Sequence, residues 1–303
     1  MDFALSDEQQ ELQGLAKQIF GGERATWKEL ASAGLLGVAI PEEYGGLGYG
    51  IFELCLVVEE QGRAAVDLPL LPTLVTALAL PDDAKAEWLP RVVAGDAILT
   101  AALEEIVPYA AEADAILIGD QLVTDADVTP VETTSGTPHG ILGGSASAES
   151  AEIRPESPLR RLWTAALCAM QAGVSDEALR ITAEYTKGRK QFDKPIASFQ
   201  AVGQRAADAF IDVQAIKLTA LQAAWRLAEG LPADEELAIA KFWAADGGQR
   251  VAHAAQHLHG GIGVDVDYPL HRYFALAKQI ELSLGGATQQ LLTIGRSLAI
   301  QPR

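Results

Sequence analysis

Apolar positions recur at helical spacing over most of this chain, and the pattern fails in one stretch near the middle. Ser6 stands ahead of Asp7, Glu8 and Gln9, which reads as an N-cap with Gln9 at the capping-box position. Leu12, Leu15, Ala16 and Ile19 then share one helical face. A second helix is expected over residues 27–33. Pro41 and the run Tyr44-Gly45-Gly46-Leu47-Gly48-Tyr49-Gly50 break the pattern with a glycine-rich loop. Helical spacing returns over residues 52–65 and 82–94, so residues 1–98 are expected to form a helical domain.

The texture changes near residue 98. AILTAALEE and DAILIGDQLVTDADV are short, β-prone and punctuated by turns. VETTSGTPHGILGGSASAESAEI, residues 131–153, is rich in Gly, Ser and Thr. Residues 99–153 therefore predict a few short strands and a mobile loop, too short for a self-sufficient sandwich or a closed barrel. Pro155 and Pro158 open a second helical half. Residues 157–189, 199–230, 233–261 and 289–301 give four long amphipathic patterns, so residues 154–303 predict a four-helix bundle whose repeated Ala positions suit close packing. The expected fold class is mostly α: a helical domain, a truncated β segment and a bundle.

Composition narrows what such a fold can do. The chain has 303 residues, enough for one large or two modest domains with a buried core. A net charge of −18 argues against nucleic acid or an anionic membrane as partner, while leaving local Arg and Lys free to hold an anionic ligand. Cys55 and Cys168 both sit in apolar helical patterns and are expected to be reduced, buried thiols. The acidic, amphipathic N-terminus lacks the basic start and apolar run of a signal peptide. No run of 18 apolar residues occurs, so a soluble cytoplasmic protein is the default expectation.

Two stretches carry candidate chemistry. In GRKQFDKPIASFQ, residues 188–200, Arg189 and Lys190 close a helix ahead of a turn broken by Pro195. Both cations could cap the helix C-terminus; alternatively Arg189 could bind a phosphate bidentately, with Gln191 and Gln200 as neutral donors and Phe192 against a ring. In QHLHGGIGVDVDYPLHRYF, residues 256–274, Gly260, Gly261 and Gly263 would let backbone amides approach a ligand. No strand precedes them, so they are not the dinucleotide fingerprint of a βαβ unit. His253, His257, His259 and His271 crowd around these glycines, yet no acidic or Cys partner shares their helical spacing, and no metal is expected. Ordinary hydrogen bonding suits His253 and His271, while His257 and His259 are better placed for a ligand.

Taken together, the two motifs resemble the C-terminal domain of the acyl-CoA dehydrogenase family. The Arg-x-x-Phe turn is Arg189 to Phe192, the Pro-Ile-x-x-Phe-Gln helix start is Pro195 to Gln200, and the Gly-Gly-x-Gly loop is Gly260 to Gly263. FALSDEQQEL, LGVAIPEEYGGLGYG and the helix holding Glu59 resemble that family's N-terminal domain. The resemblance implies FAD and the removal of two hydrogens from an acyl-CoA thioester, a carboxylate taking the α proton and the flavin N5 the β hydride. It further implies FAD lying across a subunit interface, one subunit's β-domain and bundle holding the flavin ring and the neighbour's Arg-x-x-Phe turn and Gly-Gly loop holding pyrophosphate and adenosine.

The departures from that family pattern are informative. Leu284 stands where the catalytic Glu is usual, and Arg160 stands at the alternative base position on the first bundle helix. Neither can accept a proton. Ala102-Leu103-Glu104-Glu105 replaces the stretch that contacts flavin and substrate, a Trp-Ile-Thr strand is missing, and roughly half of the β-domain is absent. LHGGIGVDVDYPLHRYF and the Leu284-Gly285-Gly286 turn resemble one subunit of the α2β2 acyl-CoA dehydrogenases of actinobacterial steroid catabolism. That likeness implies a chain without a catalytic residue of its own, completing a shared FAD through Arg189, Gln191, Phe192, Gln200, His257, Gly260 and Gly261. It implies a full-length homologue as partner, bearing most of the acyl-CoA site, and an electron-transfer flavoprotein as acceptor. Two other readings stand beside it: a self-sufficient enzyme with its base relocated to Glu104, Glu105 or Glu281, and a flavin-free scaffold subunit.

Overall fold

The computed structural model describes residues 4–22, 25–144 and 157–300. The first helix, α1 (Asp7–Phe20), begins as its sequence dictates: Gln9 N donates to Ser6 Oγ at 3.2 Å and Ser6 N to Gln9 Oε1 at 3.0 Å. Thr26 and Glu29 build the same reciprocal cap on α2 (Trp27–Ser32). The glycine-rich loop leads to α3 (Ile51–Ala64), a mostly buried helix. Next comes α4 (Leu70–Leu78), which the spacing did not reveal. Eight of its nine residues are buried and only Thr73 and Thr76 are polar, so LLPTLVTAL has no charged, solvent-facing side to set a period. The N-terminal helices end with α5 (Asp82–Ala94).

Six short strands follow: β1 (Leu99–Ala101), β2 (Ile106–Pro108), β3 (Ala115–Ile118), β4 (Gln121–Val123), β5 (Val128–Val131) and β6 (His139–Leu142). They form two three-stranded sheets, ordered β1-β3-β4 and β2-β6-β5, with the β1–β3 pair parallel and the others antiparallel. No barrel closes from these strands, as their length required. The segment expected as a mobile loop is partly strand, since β6 within it pairs with both β2 and β5. Its residues 145–153 lie outside the described residues.

The second half is built on α6 (Pro158–Gly188) and α7 (Gln200–Ala228), joined by the hairpin β7 (Lys190–Gln191) and β8 (Lys194–Pro195). The third helical pattern is α8 (Asp234–Phe242) and α9 (Gly248–His259), joined without a break by a π-helical turn at Trp243–Gly247. A further helix, α10 (Leu270–Leu282), lies beyond the expected four and precedes α11 (Ala287–Ile300). α3 packs against α6 through glycines: a Cβ on Gly173 would sit 1.9 Å from Glu59 O, and one on Gly62 would sit 2.2 Å from Met170 O. One core cluster runs from Leu12 in α1 to Leu284 beyond α10, so the two helical halves share their core. Arg63 joins them by charge as well, pairing with the buried Glu59 and Glu60 at 2.7 and 3.0 Å and with Asp176 of α6. Both cysteines are buried and free, and burial raises the Cys168 thiol to about 12, so it stays protonated at neutral pH. Among the described residues no helix is long and apolar enough to cross a membrane.

Candidate active site and cofactor-contact motifs

Leu284 and Arg160, 124 residues apart in sequence, meet in the fold, Arg160 Nη2 donating to Leu284 O at 3.3 Å. Leu284 is 4% exposed and adopts φ +57, with Gly285 at φ +92. A branched side chain at positive φ is strained by about 1–2 kcal/mol. Several side chains hold the turn there. Glu104 Oε1 accepts from Leu284 N at 2.9 Å, and Gln290 Nε2 donates to Leu284 O and Gly285 O, both at 3.2 Å. Below the turn Lys241, fully buried, donates Nζ to Ile280 O at 3.1 Å and Glu281 O at 3.2 Å, which satisfies the C-terminal carbonyls of α10. Burial lowers the Lys241 pKa, and burial likewise lowers that of Arg160, opposed by the charge of Glu104.

The turn borders a cavity of about 960 Å³. Phe20, Leu71, Trp163, Leu167, Met170 and Ile280 supply much of its apolar lining, and Leu284 lines it as well. The candidate relocated bases fare differently. Glu104 is committed to Leu284 N, and Glu281 pairs with Lys278. Glu105 is exposed at the rim of the cavity and makes no hydrogen bond or ion pair with a described residue.

The other candidate residues gather at one end of the bundle. α6 ends at Gly188, and Arg189 caps it through its backbone, Arg189 N donating to Tyr185 O at 2.8 Å. The exposed Arg189 side chain makes no hydrogen bond or ion pair with a described residue, so the capping role belongs to the backbone alone. Phe192 and Asp193 form the two-residue hairpin loop at φ +54 and +64. That is the backbone of a type I′ turn, which favours Asn-Gly; a Phe there is a strained choice. Phe192 is 86% exposed, with Phe199 edge-on at 6.2 Å. Gln191 bonds its own chain at Lys190 O, and Gln200 opens α7 exposed to solvent.

Tyr185 links this hairpin to the glycine loop. Its ring stacks on His259 at 4.4 Å, and His259 directly precedes Gly260. His259 is itself buried: Nδ1 meets Ala255 O at 2.8 Å and Nε2 meets the Tyr268 hydroxyl at 3.1 Å. It is therefore a supporting side chain, which corrects the expectation that it faces a ligand. Burial lowers its pKa. His257 stays exposed on the same turn, and His271 bonds Tyr268 O at 2.7 Å as expected. His253 makes an edge contact with Phe274 at 5.4 Å in place of the expected hydrogen bond. Gly260 has φ +64 and ψ −141, a conformation open essentially to glycine alone. A Cβ on Gly261 would meet nothing within 4 Å, so the loop's outer edge is clear. The Gln256 amide, oriented to donate to Gly263 O at 3.1 Å and accept from Val264 N at 3.2 Å, braces the loop from within. Sequence reasoning missed Tyr185 and Lys241 because each acts on residues that only the fold brings near it, and Gln256 and Gln290 because their side chains fold back across a turn onto backbone five to eight residues away.

Comparison with known proteins agrees with this architecture. Residues 6–96 match the acyl-CoA dehydrogenase N-terminal domain, and residues 164–299 match the acyl-CoA dehydrogenase C-terminal domain. The chain is 36% identical to the acyl-CoA dehydrogenase FadE27 of Mycobacterium tuberculosis, with all of both chains covered. That alignment runs over 372 positions, more than this chain has residues, so the relative carries segments that are absent here. Among solved structures, a chain of the ChsE4–ChsE5 complex from Mycobacterium tuberculosis is similar at 37% identity, a TM-score of 0.87 and full coverage of both chains. A variant of the Tcur3481–Tcur3483 steroid ACAD matches at 37% identity and a TM-score of 0.86, over 97% of this chain and 98% of that one. Matching models across both helical halves, and relatives of this identity over the whole length, place the chain in the acyl-CoA dehydrogenase family.

Proposed function

We propose that this chain is the non-catalytic, FAD-completing subunit of a heteromeric acyl-CoA dehydrogenase. A full-length homologue would supply the β-domain, most of the acyl-CoA site and the base. The observation that carries the reading is the contrast between two regions of one chain. At the base position stands a buried Leu284, locked at positive φ by Glu104, Arg160 and Gln290. At the far end of α6, Arg189 and Phe192 project into solvent, partnered by no side chain that neutralises the cation.

FAD suits the second region and not the first. Arg189 and Lys190 offer two exposed cations beside an open glycine loop, the donor set a pyrophosphate needs. Phe192 and His257 would lie against a ring system, and Gln191 and Gln200 would donate hydrogen bonds. The cavity beside Leu284 is rimmed by carboxylates, which repel phosphate. When bound, FAD accepts the hydride; this chain's residues would bind and orient it. The α2β2 assembly, one FAD shared per pair, a cytoplasmic location and an electron-transfer flavoprotein as acceptor belong to this proposal. So does a steroid-derived acyl-CoA, supported by likeness to a steroid ACAD.

The test is co-expression with a full-length homologue, followed by a flavin spectrum and a mass for the chain alone and for the complex. The expected result is a colourless single chain and a yellow mixed tetramer with one FAD per pair. Arg189→Ala should lower flavin retention without preventing assembly. A yellow, active single chain would overturn the reading.

A further inference from the structure

We propose that the cavity beside Leu284 is a binding site for an uncharged, largely apolar small molecule, which it holds without oxidising. Three observations bear on this. Its volume of about 960 Å³ lies at the upper end of small-molecule sites, which span roughly 300–1,000 Å³. Its lining is more apolar than polar, with Phe20, Leu71, Trp163 and Ile280 among the apolar residues. Its charged groups are one-sided: Asp67, Glu104, Glu105 and Glu132 against Arg272, the single cation among the described lining residues.

The carboxylates are not equivalent. Asp67 accepts from the Tyr109 hydroxyl, and Glu104 is held by Leu284 N. Glu105 and Glu132 are exposed and make no hydrogen bond or ion pair with a described residue. An apolar wall under uncompensated carboxylates focuses negative potential into the opening. A CoA thioester, with its phosphates, or a fatty carboxylate is thus disfavoured, whereas an uncharged ligand meets no such barrier. The turn that carries Leu284 is held by Arg160, Glu104 and Gln290, with Lys241 bracing the end of α10 before it, so the wall is preformed. Absence of turnover rests on the reading that this chain lacks a base; binding itself does not, and none of the flavin-contact residues lines this cavity.

The experiment titrates the uncharged dye Nile red and the anionic dye anilinonaphthalene sulfonate into the purified full-length chain, with and without its partner. One Nile red site per chain is expected, weakened at least about tenfold by Leu276→Trp, which enlarges a side chain on the cavity lining. The anionic dye should bind at least about tenfold more weakly and gain on the order of tenfold when Glu105→Lys and Glu132→Lys are combined, while Nile red binding stays within about twofold. Both reversed residues are exposed, so that variant keeps the fold testable if the tryptophan does not. Nile red binding indifferent to Leu276→Trp, or anionic binding indifferent to charge reversal, would overturn the proposal. Arg189→Ala should leave Nile red binding unchanged, which separates failure of this site from failure of the flavin role.

Discussion

Glu104 offers the sharpest division between a structural carboxylate and a relocated base. Its Oε1 accepts from Leu284 N at 2.9 Å, and its charge opposes the effect of burial on Arg160. A hydrogen bond to a charged group contributes about 1.5–3 kcal/mol. Leu284 at φ +57 stores about 1–2 kcal/mol of strain that such bonds must offset. Glu104→Ala removes the acceptor and leaves the half-buried guanidinium beside an orphaned amide, so a loss of about 2–4 kcal/mol is expected. Glu104→Gln keeps a neutral acceptor in place and should cost only about 1 kcal/mol. The assay is urea denaturation of both variants, paired with turnover of the co-expressed complex. A catalytic base is worth about 10² to 10⁴ in rate, so a structural Glu104 predicts that Glu104→Gln keeps turnover within about threefold. A hundredfold loss of turnover at unchanged stability would make Glu104 the base. Stability of Glu104→Ala within about 0.5 kcal/mol of the wild type would refute the account of the turn.

Other expectations follow from the packing and the buried charge. Glu281→Gln, which breaks only the pair with Lys278, should leave turnover of the complex nearly intact; a loss of several orders of magnitude would place the base in this chain. Gly173→Ala should destabilise by about 3 kcal/mol or more, because its Cβ would fall 1.9 Å from Glu59 O and force α3 and α6 apart. Gly203→Ala in α7, where a Cβ meets nothing within 4 Å, should stabilise by about 0.5–1 kcal/mol; equal melting temperatures for the two variants would contradict this contrast. Lys241 carries a lowered pKa when folded against an ordinary 10.5, so between those values the unfolded chain binds more protons and stability rises with pH. Lys241→Met removes that group, and the stability difference between wild type and variant should shift toward the wild type as pH climbs to 10.5. Parallel pH profiles would contradict the assignment.

Much of the fold was legible because its signals are local. The Ser6–Gln9 cap, the boundaries of α5 and the C-terminus of α6 at Gly188 each depend on residues within a turn of one another. The helix α4 escaped notice because near-complete burial removes the charged face that marks a period. α10 went uncounted because its pattern follows directly on the glycine loop and Pro269. For the histidines, crowding in sequence did not reveal orientation. His259 turns inward to Tyr268 and Tyr185 while His257, two residues earlier, turns outward, which follows from a helix rotating about 200° between them.

The sequence by itself determined which residue types stand at each position of the candidate site: a leucine at 284, an arginine at 160, and an Arg-x-x-Phe turn with a glycine loop. Tertiary structure alone decided what those residues do to one another. Arg160 and Glu104 lie 124 and 180 residues from Leu284, yet both bond its backbone, and Tyr185 carries the hairpin to the glycine loop by stacking on a histidine from another helix. Local spacing encodes helices and caps, because those hydrogen bonds close within four residues. Contacts between distant segments depend on how whole helices pack, which no short window of sequence contains.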